Sequence, residues 1–165
     1  MLGGYCINWN EAREYCQSLG GDLPTEAEWE KAARGTDGRT YPWGNQPLSC
    51  NRCNYENCYP HEPPGTWPVG YLTTTEGDSP YGLKDMCGNV REWVLDCLDD
   101  NFFENREENC VDPANWSAEC SRVVRGGRFS GWHQNAFRVV HRTFSGQTGR
   151  SNWNGFRCVR PPIVY

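Results

Sequence analysis

The sequence predicts an α+β fold, on three observations. Two short amphipathic segments with complete start and stop signals lie before Gly35. From Gly35 onward no periodic run exceeds a few residues, so the remainder reads as loops and short strands. The third observation is composition: 18 Gly and 11 Pro punctuate a chain whose burial must come largely from eight Trp, eight Tyr and six Phe. A chain of 165 residues is long enough for one real core, and residues 1–165 are read as a single domain.

The first helix is expected in NWNEAREYCQSLGG, where Ala12, Tyr15, Cys16 and Leu19 recur at i, i+3, i+4 and i+7 as one buried stripe and Gly20 and Gly21 stop it. The second lies in PTEAEWEKAARG. Thr25 is its N-cap and Glu28 the reciprocal acceptor of a capping box; acidic residues load the first turn, Lys31 and Arg34 the last, and Gly35 closes it. Turn signals at Asp37-Gly38, Gly44-Asn45, Pro63-Pro64-Gly65 and Gly77-Asp78 divide the remainder of the chain. Candidate strands run from Trp67 to Tyr71, Glu92 to Asp96, Arg122 to Gly126, Phe137 to His141 and Gly155 to Val159.

A net charge of −5, with Lys nearly absent beside Arg, leaves no basic face to neutralise phosphates, so nucleic acid is not an expected partner. No stretch approaches the ~20 apolar residues of a membrane span, and Met1-Leu2-Gly3-Gly4 lacks the charged start and apolar run of a signal peptide. Ten cysteines, an even count, point to a disulfide framework and to an extracellular or cell-surface location rather than the cytoplasm. Cys6 with Cys16 and Cys110 with Cys120 are plausible local bridges. Cys50, Cys53, Cys58 and His61 lie close enough to form a Cys3His zinc site, with disulfides as the preferred alternative.

Five stretches carry a resemblance: LPTEAEWEKAARG, YPWGN, YGLKDMCGNVREW, RVVRGGRF and NGFRCVR, in that order along nearly the whole chain. Together they resemble the formylglycine-generating enzyme (sulfatase-modifying factor) family. The resemblance implies a C-type-lectin-like α+β fold, two helices on a twisted antiparallel sheet with long loop excursions. The usual family domain begins further upstream with a strand and hairpin; that portion is missing here, so the chain is expected to be a compact variant or a trimmed piece. Relatives often carry cysteines matching Cys50 and Cys58, which implies a bridge there.

The resemblance also implies metal chemistry, in one place present and in another lost. YGLKDMCGNVREW resembles the family's calcium loop, whose ligands carried over by position are the side chains of Asp85 and Glu92 and the carbonyls of Gly88 and Val90. This chain has Arg91 where the family usually has an aromatic residue, which changes the packing beside the ligands. A second calcium loop matches Asn54 and Tyr55, but its acidic partner is not evident. The family's aerobic enzymes hold copper between two cysteines shortly after RGG, whereas this chain has no cysteine between Cys120 and Cys158, so copper-dependent formylglycine chemistry is not expected. His133 and His141 without a neighbouring carboxylate suit binding better than a metal centre.

The segment framed by RGG and GFR is rich in aromatic and amide side chains, the residue types that adaptable binding surfaces use. Its candidate contact residues are Ser130, Gly131, Trp132, His133, Gln134, Asn135, His141, Thr143, Phe144, Ser145, Gln147, Ser151, Asn152 and Trp153. This arrangement resembles the variable proteins of diversity-generating retroelements, which confine their mutated codons to the equivalent region. The expected function is a non-catalytic ligand-binding module for a protein, peptide or carbohydrate. The alternative is an enzyme of the sulfatase-modifying factor or non-heme iron oxidase kind acting on protein or small thiol substrates.

Overall fold

A computed structural model describes residues 6–56, 58, 65–102, 104, 114–115, 117, 119–131 and 133–160. Helix α1 spans Trp9–Ser18 and starts in a capping box beyond the apolar stripe that marks the helix in the sequence. Asn8 accepts from the Glu11 amide at 3.0 Å, and the Glu11 carboxylate accepts from the Asn8 amide at 3.1 Å. Its buried row is Trp9, Ala12 and Cys16, while Tyr15 and Leu19 are 39% and 44% exposed. The stripe is shifted towards Trp9 because that indole is bound from the sheet: its N–H donates to the Val94 carbonyl at 2.7 Å, and the Arg122 guanidinium lies 3.8 Å from its ring centre. Helix α2, Glu26–Arg34, has the expected Thr25/Glu28 capping box and ends at Gly35 with φ of 70°.

The strands are β1 (Arg91–Cys97), β2 (Ser121–Arg125), β3 (Thr143–Gly146) and β4 (Asn154–Phe156), in spatial order β3-β2-β1-β4. The sheet is mixed rather than wholly antiparallel, since β4 pairs with β1 in parallel, Arg91 opposite Asn154 and Trp93 opposite Phe156. Two expected strands are corrected. Trp67 to Tyr71 is a loop whose amides are taken by side chains, Trp67 by Asn89 at 2.8 Å and Gly70 by Asp85 at 2.7 Å. In the segment Phe137 to His141, Phe137 and Val139 are buried alternately as in a strand, but the Arg138 amide bonds Asn135 and the Val139 amide bonds Thr40, so no ladder forms. The chain makes a single 3-10 turn at Gln134–Phe137 and enters β3 at Thr143.

Six consecutive buried residues make β1 the centre of the molecule, and its alternation feeds two cores. Trp93 and Leu95 pack with Trp9, Ala12, Cys16 and Leu23, whereas Val94 packs with Trp29, Ala33, Met86 and Val139. Charged groups lock the α2 side of the sheet. Arg125, fully buried, donates to Glu26 at 3.0 Å, Glu30 at 2.7 Å and the Val139 carbonyl at 2.7 Å.

Disulfides join Cys16 to Cys158, Cys50 to Cys58 and Cys97 to Cys120. The local pairs Cys6–Cys16 and Cys110–Cys120 are therefore corrected. Cys16 points from the buried face of α1 towards the segment after β4, leaving Cys6 exposed and free. Cys97 ends β1 opposite Arg122, which places its partner just before β2 at Cys120; Cys110 lies outside the described residues. The Cys50–Cys58 bridge takes two of the four thiol and imidazole ligands a zinc ion would need. Cys53 is instead buried with Cys87 and Phe137, and His61 lies outside the described residues.

Candidate functional site

The site forms where β2 leaves the sheet, beside the first residue of β1 and the approach to β4. Gly126 and Gly127 turn the chain with φ of 95° and 77°. A side chain at Gly127 would put its Cβ 2.6 Å from the Phe137 ring, so the chain passes over that ring only as glycine. Beyond the turn, Arg128 stacks with its guanidinium carbon 3.8 Å from the centre of the Trp153 ring. Between these elements opens a cavity of about 310 Å³. β1 contributes Arg91 to its lining, the turn Arg128 and Gly131, the 3-10 turn and its flanks His133 and His141, β3 Thr143, and the β4 approach Trp153.

The cavity is electropositive. Among the described residues no carboxylate lines it, and the Arg91 Nε is buried without a hydrogen-bond partner. Burial, then the neighbouring Arg128, holds Arg91 down at about 10, still charged at neutral pH. Burial and the charges of Arg125 and Arg91 lower His141, which keeps its imidazole neutral there.

Of the residues expected on the face, Gly131, His133, His141, Thr143 and Trp153 line the cavity. Gln134, Asn135, Asn152 and Phe144 are exposed in the flanking segments, with Phe144 at 55%. Ser130 and Ser145 are half-buried, and Ser151 accepts the Trp153 amide at 3.1 Å. Gln147 is a correction: its amide donates to Asn10 at 2.8 Å and accepts from Arg122 at 3.2 Å, fastening the end of β3 to α1. Trp132 lies outside the described residues. Sequence reasoning missed Arg91 and Arg128 as site residues. The available signal was Arg91 itself, a charge standing where an aromatic residue is expected, which alters the electrostatics of the site as well as its packing.

The four residues of the expected calcium loop, Asp85, Gly88, Val90 and Glu92, line one cavity of about 140 Å³. Asp85 holds φ of 58°, and burial, opposed by the Gly70 amide, pushes its carboxyl above the usual range. Glu92 is already engaged. Arg157 donates to both of its oxygens at 2.6 Å, and the Trp29 indole N–H adds a third bond at 2.7 Å. No group of three or more His, Cys, Asp or Glu is gathered for a metal among the described residues. The donor set is two carboxylates beside the Gly88 and Val90 backbone. These are hard-oxygen donors of the kind calcium takes, but both Glu92 oxygens already accept from Arg157 and one of them also from Trp29. Asn54, of the doubtful second loop, donates to the Gly65 carbonyl at 2.9 Å and to Asn89 at 3.2 Å.

No thiol among the described residues lines the cavity at Trp153. The buried Cys53 and Cys87 pack with Phe137, and burial pushes the Cys87 thiol well up.

Comparisons with known proteins agree with this fold. Formylglycine-generating enzyme of Thermomonospora curvata is 35% identical over 174 residues, covering 95% of this chain and 55% of that protein. "Inactive C-alpha-formylglycine-generating enzyme 2" of Bos taurus is 33% identical over 168 residues, 94% of this chain and 50% of that one. The chain thus spans about half the length of the curated relatives it matches. Among solved structures, PvdO from Pseudomonas aeruginosa superposes with a TM-score of 0.75 at 25% identity, over 93% of this chain and 59% of that one. Treponema denticola variable protein 1 gives 0.65 at 30% identity, over 84% and 47%. The Major Tropism Determinant U1 variant, 16% identical with a TM-score of 0.55 over 92% of this chain and 36% of its own, shares the fold. With residues 4–162 matching the family's domain, this chain belongs to the sulfatase-modifying factor enzyme 1-like domain family.

Proposed function

We propose that the domain is a non-catalytic ligand-binding module whose binding face is the loop surface from Ser130 to Trp153. The observation that carries this is the open cavity under Trp153. Its walls at Gly127 and Gly131 are packed on the Phe137 ring, its lining is aromatic and polar, and among the described residues no thiol or carboxylate lines it to do chemistry. The likeness to Treponema denticola variable protein 1 supports the more specific form, a diversified receptor of the kind retroelements generate. The three disulfides among the described residues are the chemistry of an oxidising compartment, which suits an extracellular or cell-surface receptor for a protein, peptide or carbohydrate.

The test is the triple variant His133→Ala, Phe144→Ala, Trp153→Ala. All three side chains are at least partly exposed, so stability should fall by only about 1–2 kcal/mol, including the loss of the Arg128 stack. Binding to a peptide and glycan array should disappear. Array binding that survives the substitutions places the binding face elsewhere. Mass spectrometry showing a sulfatase-type peptide losing its thiol and gaining an aldehyde would overturn the non-catalytic reading.

A further inference from the structure

The cavity has a chemical preference that its place in the fold does not dictate. Arg91 opens β1, and the pleat sends it and Glu92 to opposite faces of the strand. Glu92 is paired with Arg157 on its own side, so it gives Arg91 nothing. Arg128, across the cavity mouth, lies against the Trp153 ring rather than against a carboxylate. Among the described residues the other buried guanidiniums each have an acceptor for at least one N–H, although the Arg125 Nε, like that of Arg91, has none. Arg125 has Glu26 and Glu30, Arg142 has Glu26, Arg157 has Glu92, and Arg122 has the carbonyls of Leu95 and Ser117. Arg91 and Arg128 instead line a cavity with no acidic residue among its described walls, and the Arg91 Nε is sealed from water with nothing there to receive its proton. That donor stays buried, so a ligand meets only the parts of Arg91 and Arg128 that line the cavity, and an acceptor brought there gains charge-assisted hydrogen bonds.

Resting on the binding-module reading, we infer that the cavity recognises a carboxylate, held between the Arg91 and Arg128 guanidiniums with Trp153 beside it. A guanidinium presents a planar fork of N–H donors that matches the two oxygens of a carboxylate. The Thr143 hydroxyl and the His133 and His141 imidazoles can offer further donors at the rim. Trp153, already oriented by Arg128, supplies a flat wall for the ligand's apolar stem. The carboxylate can arrive on a free organic acid or on an acidic side chain of a protein.

Titration calorimetry tests this with N-acetylglutamate and a ten-residue Glu-rich peptide, each against its Gln counterpart. The acidic probes should bind and the amides should not. Arg91→Gln combined with Arg128→Gln should weaken the acidic probes about tenfold or more, because a hydrogen bond to a charged group is at stake at each position. Arg91→Gln alone should leave the melting temperature unchanged or raise it, since it removes a buried charge whose Nε has no acceptor. The free acid binding as tightly as the peptide assigns a small-molecule ligand; the peptide binding far more tightly assigns an acidic protein segment. Equal affinity for the Gln probes, no binding of any probe at millimolar concentration, or indifference to the double substitution overturns the inference. If, in that event, array ligands are still lost in the His133, Phe144 and Trp153 variant, the binding face stands and only its anion preference fails. If array ligands survive that variant too, both fail.

Discussion

Removing the disulfides one at a time tests the architecture most sharply, because each closes a loop of very different length. The pairs are separated by 142 residues for Cys16–Cys158, 23 for Cys97–Cys120 and 8 for Cys50–Cys58. Loop-closure entropy scales with the logarithm of loop length, which gives about 5, 3.4 and 2.5 kcal/mol respectively at room temperature. The first figure matches the lower end of the ~5–15 kcal/mol that holds a domain folded. Losing Cys16–Cys158 should therefore bring the protein close to unfolding, whereas losing Cys50–Cys58 should lower the melting temperature by only about 5–10 °C. The assay is urea unfolding of paired Cys→Ala variants without reductant, with stability compared at constant slope against urea. Thiol titration and peptide mapping of the denatured, unreduced parent should find Cys6, Cys53 and Cys87 free, the three cysteines that carry no bridge among the described residues. The reasoning fails if the Cys50–Cys58 variant loses as much stability as the Cys16–Cys158 variant, or if peptide mapping finds Cys6 bridged to Cys16.

Calcium should be read through Asp85 rather than Glu92. In the presence of calcium, Asp85→Asn should be less stable than the parent and insensitive to chelator, because a ligand bound only by the folded state stabilises it. In chelator the order should reverse. Burial raises the Asp85 carboxyl, so its charged form opposes folding and parent stability falls as pH rises from the ordinary aspartate range through the raised folded value; asparagine removes that slope and tolerates the positive φ. Thermal melts at several pH values with and without calcium check both signs. Glu92→Gln leaves Arg157 with a neutral partner in a buried site and should cost about 3–5 kcal/mol whether or not calcium is present; a loss that appears only with calcium would make Glu92 a metal ligand before anything else. Gly127→Ala should cost more than an ordinary surface substitution, since the new methyl meets the Phe137 ring at a backbone angle alanine avoids; an unchanged urea midpoint would contradict that packing.

What could be read in advance was whatever the chain encodes in neighbouring residues. The α2 capping box joins positions three apart, and the β1 and β2 segments are short runs with an apolar centre, whereas the strand expected at Gly155 to Val159 is Asn154–Phe156, with Val159 only bridged to Asp22. What could not be read depends on partners far along the chain. Alternating burial at Phe137 and Val139 imitates a strand, because a buried residue looks the same whether its amide bonds a ladder or, as Val139 does, a loop carbonyl at Thr40. Local cysteine spacing suggested Cys6–Cys16, but the side of α1 that faces the sheet decided for Cys158. The site's two arginines escaped notice for the same reason: Arg91 acquires its meaning only when the loops between β2 and β4 fold over it.

Two of the three glycines in the loop after β2 have a mechanical consequence. Added methyls at Gly127 and Gly131 would touch the same ring, Phe137, at 2.6 and 2.8 Å, so the stretch between them is hooked over one aromatic side chain. The 3-10 turn carrying His133 to Ala136 hangs from that ring as well. Phe137 is a latch. While it stays seated, the cavity keeps its shape whatever side chains decorate the rim; were it to leave its slot, the cavity walls at Gly127 and Gly131 would part together as one flap.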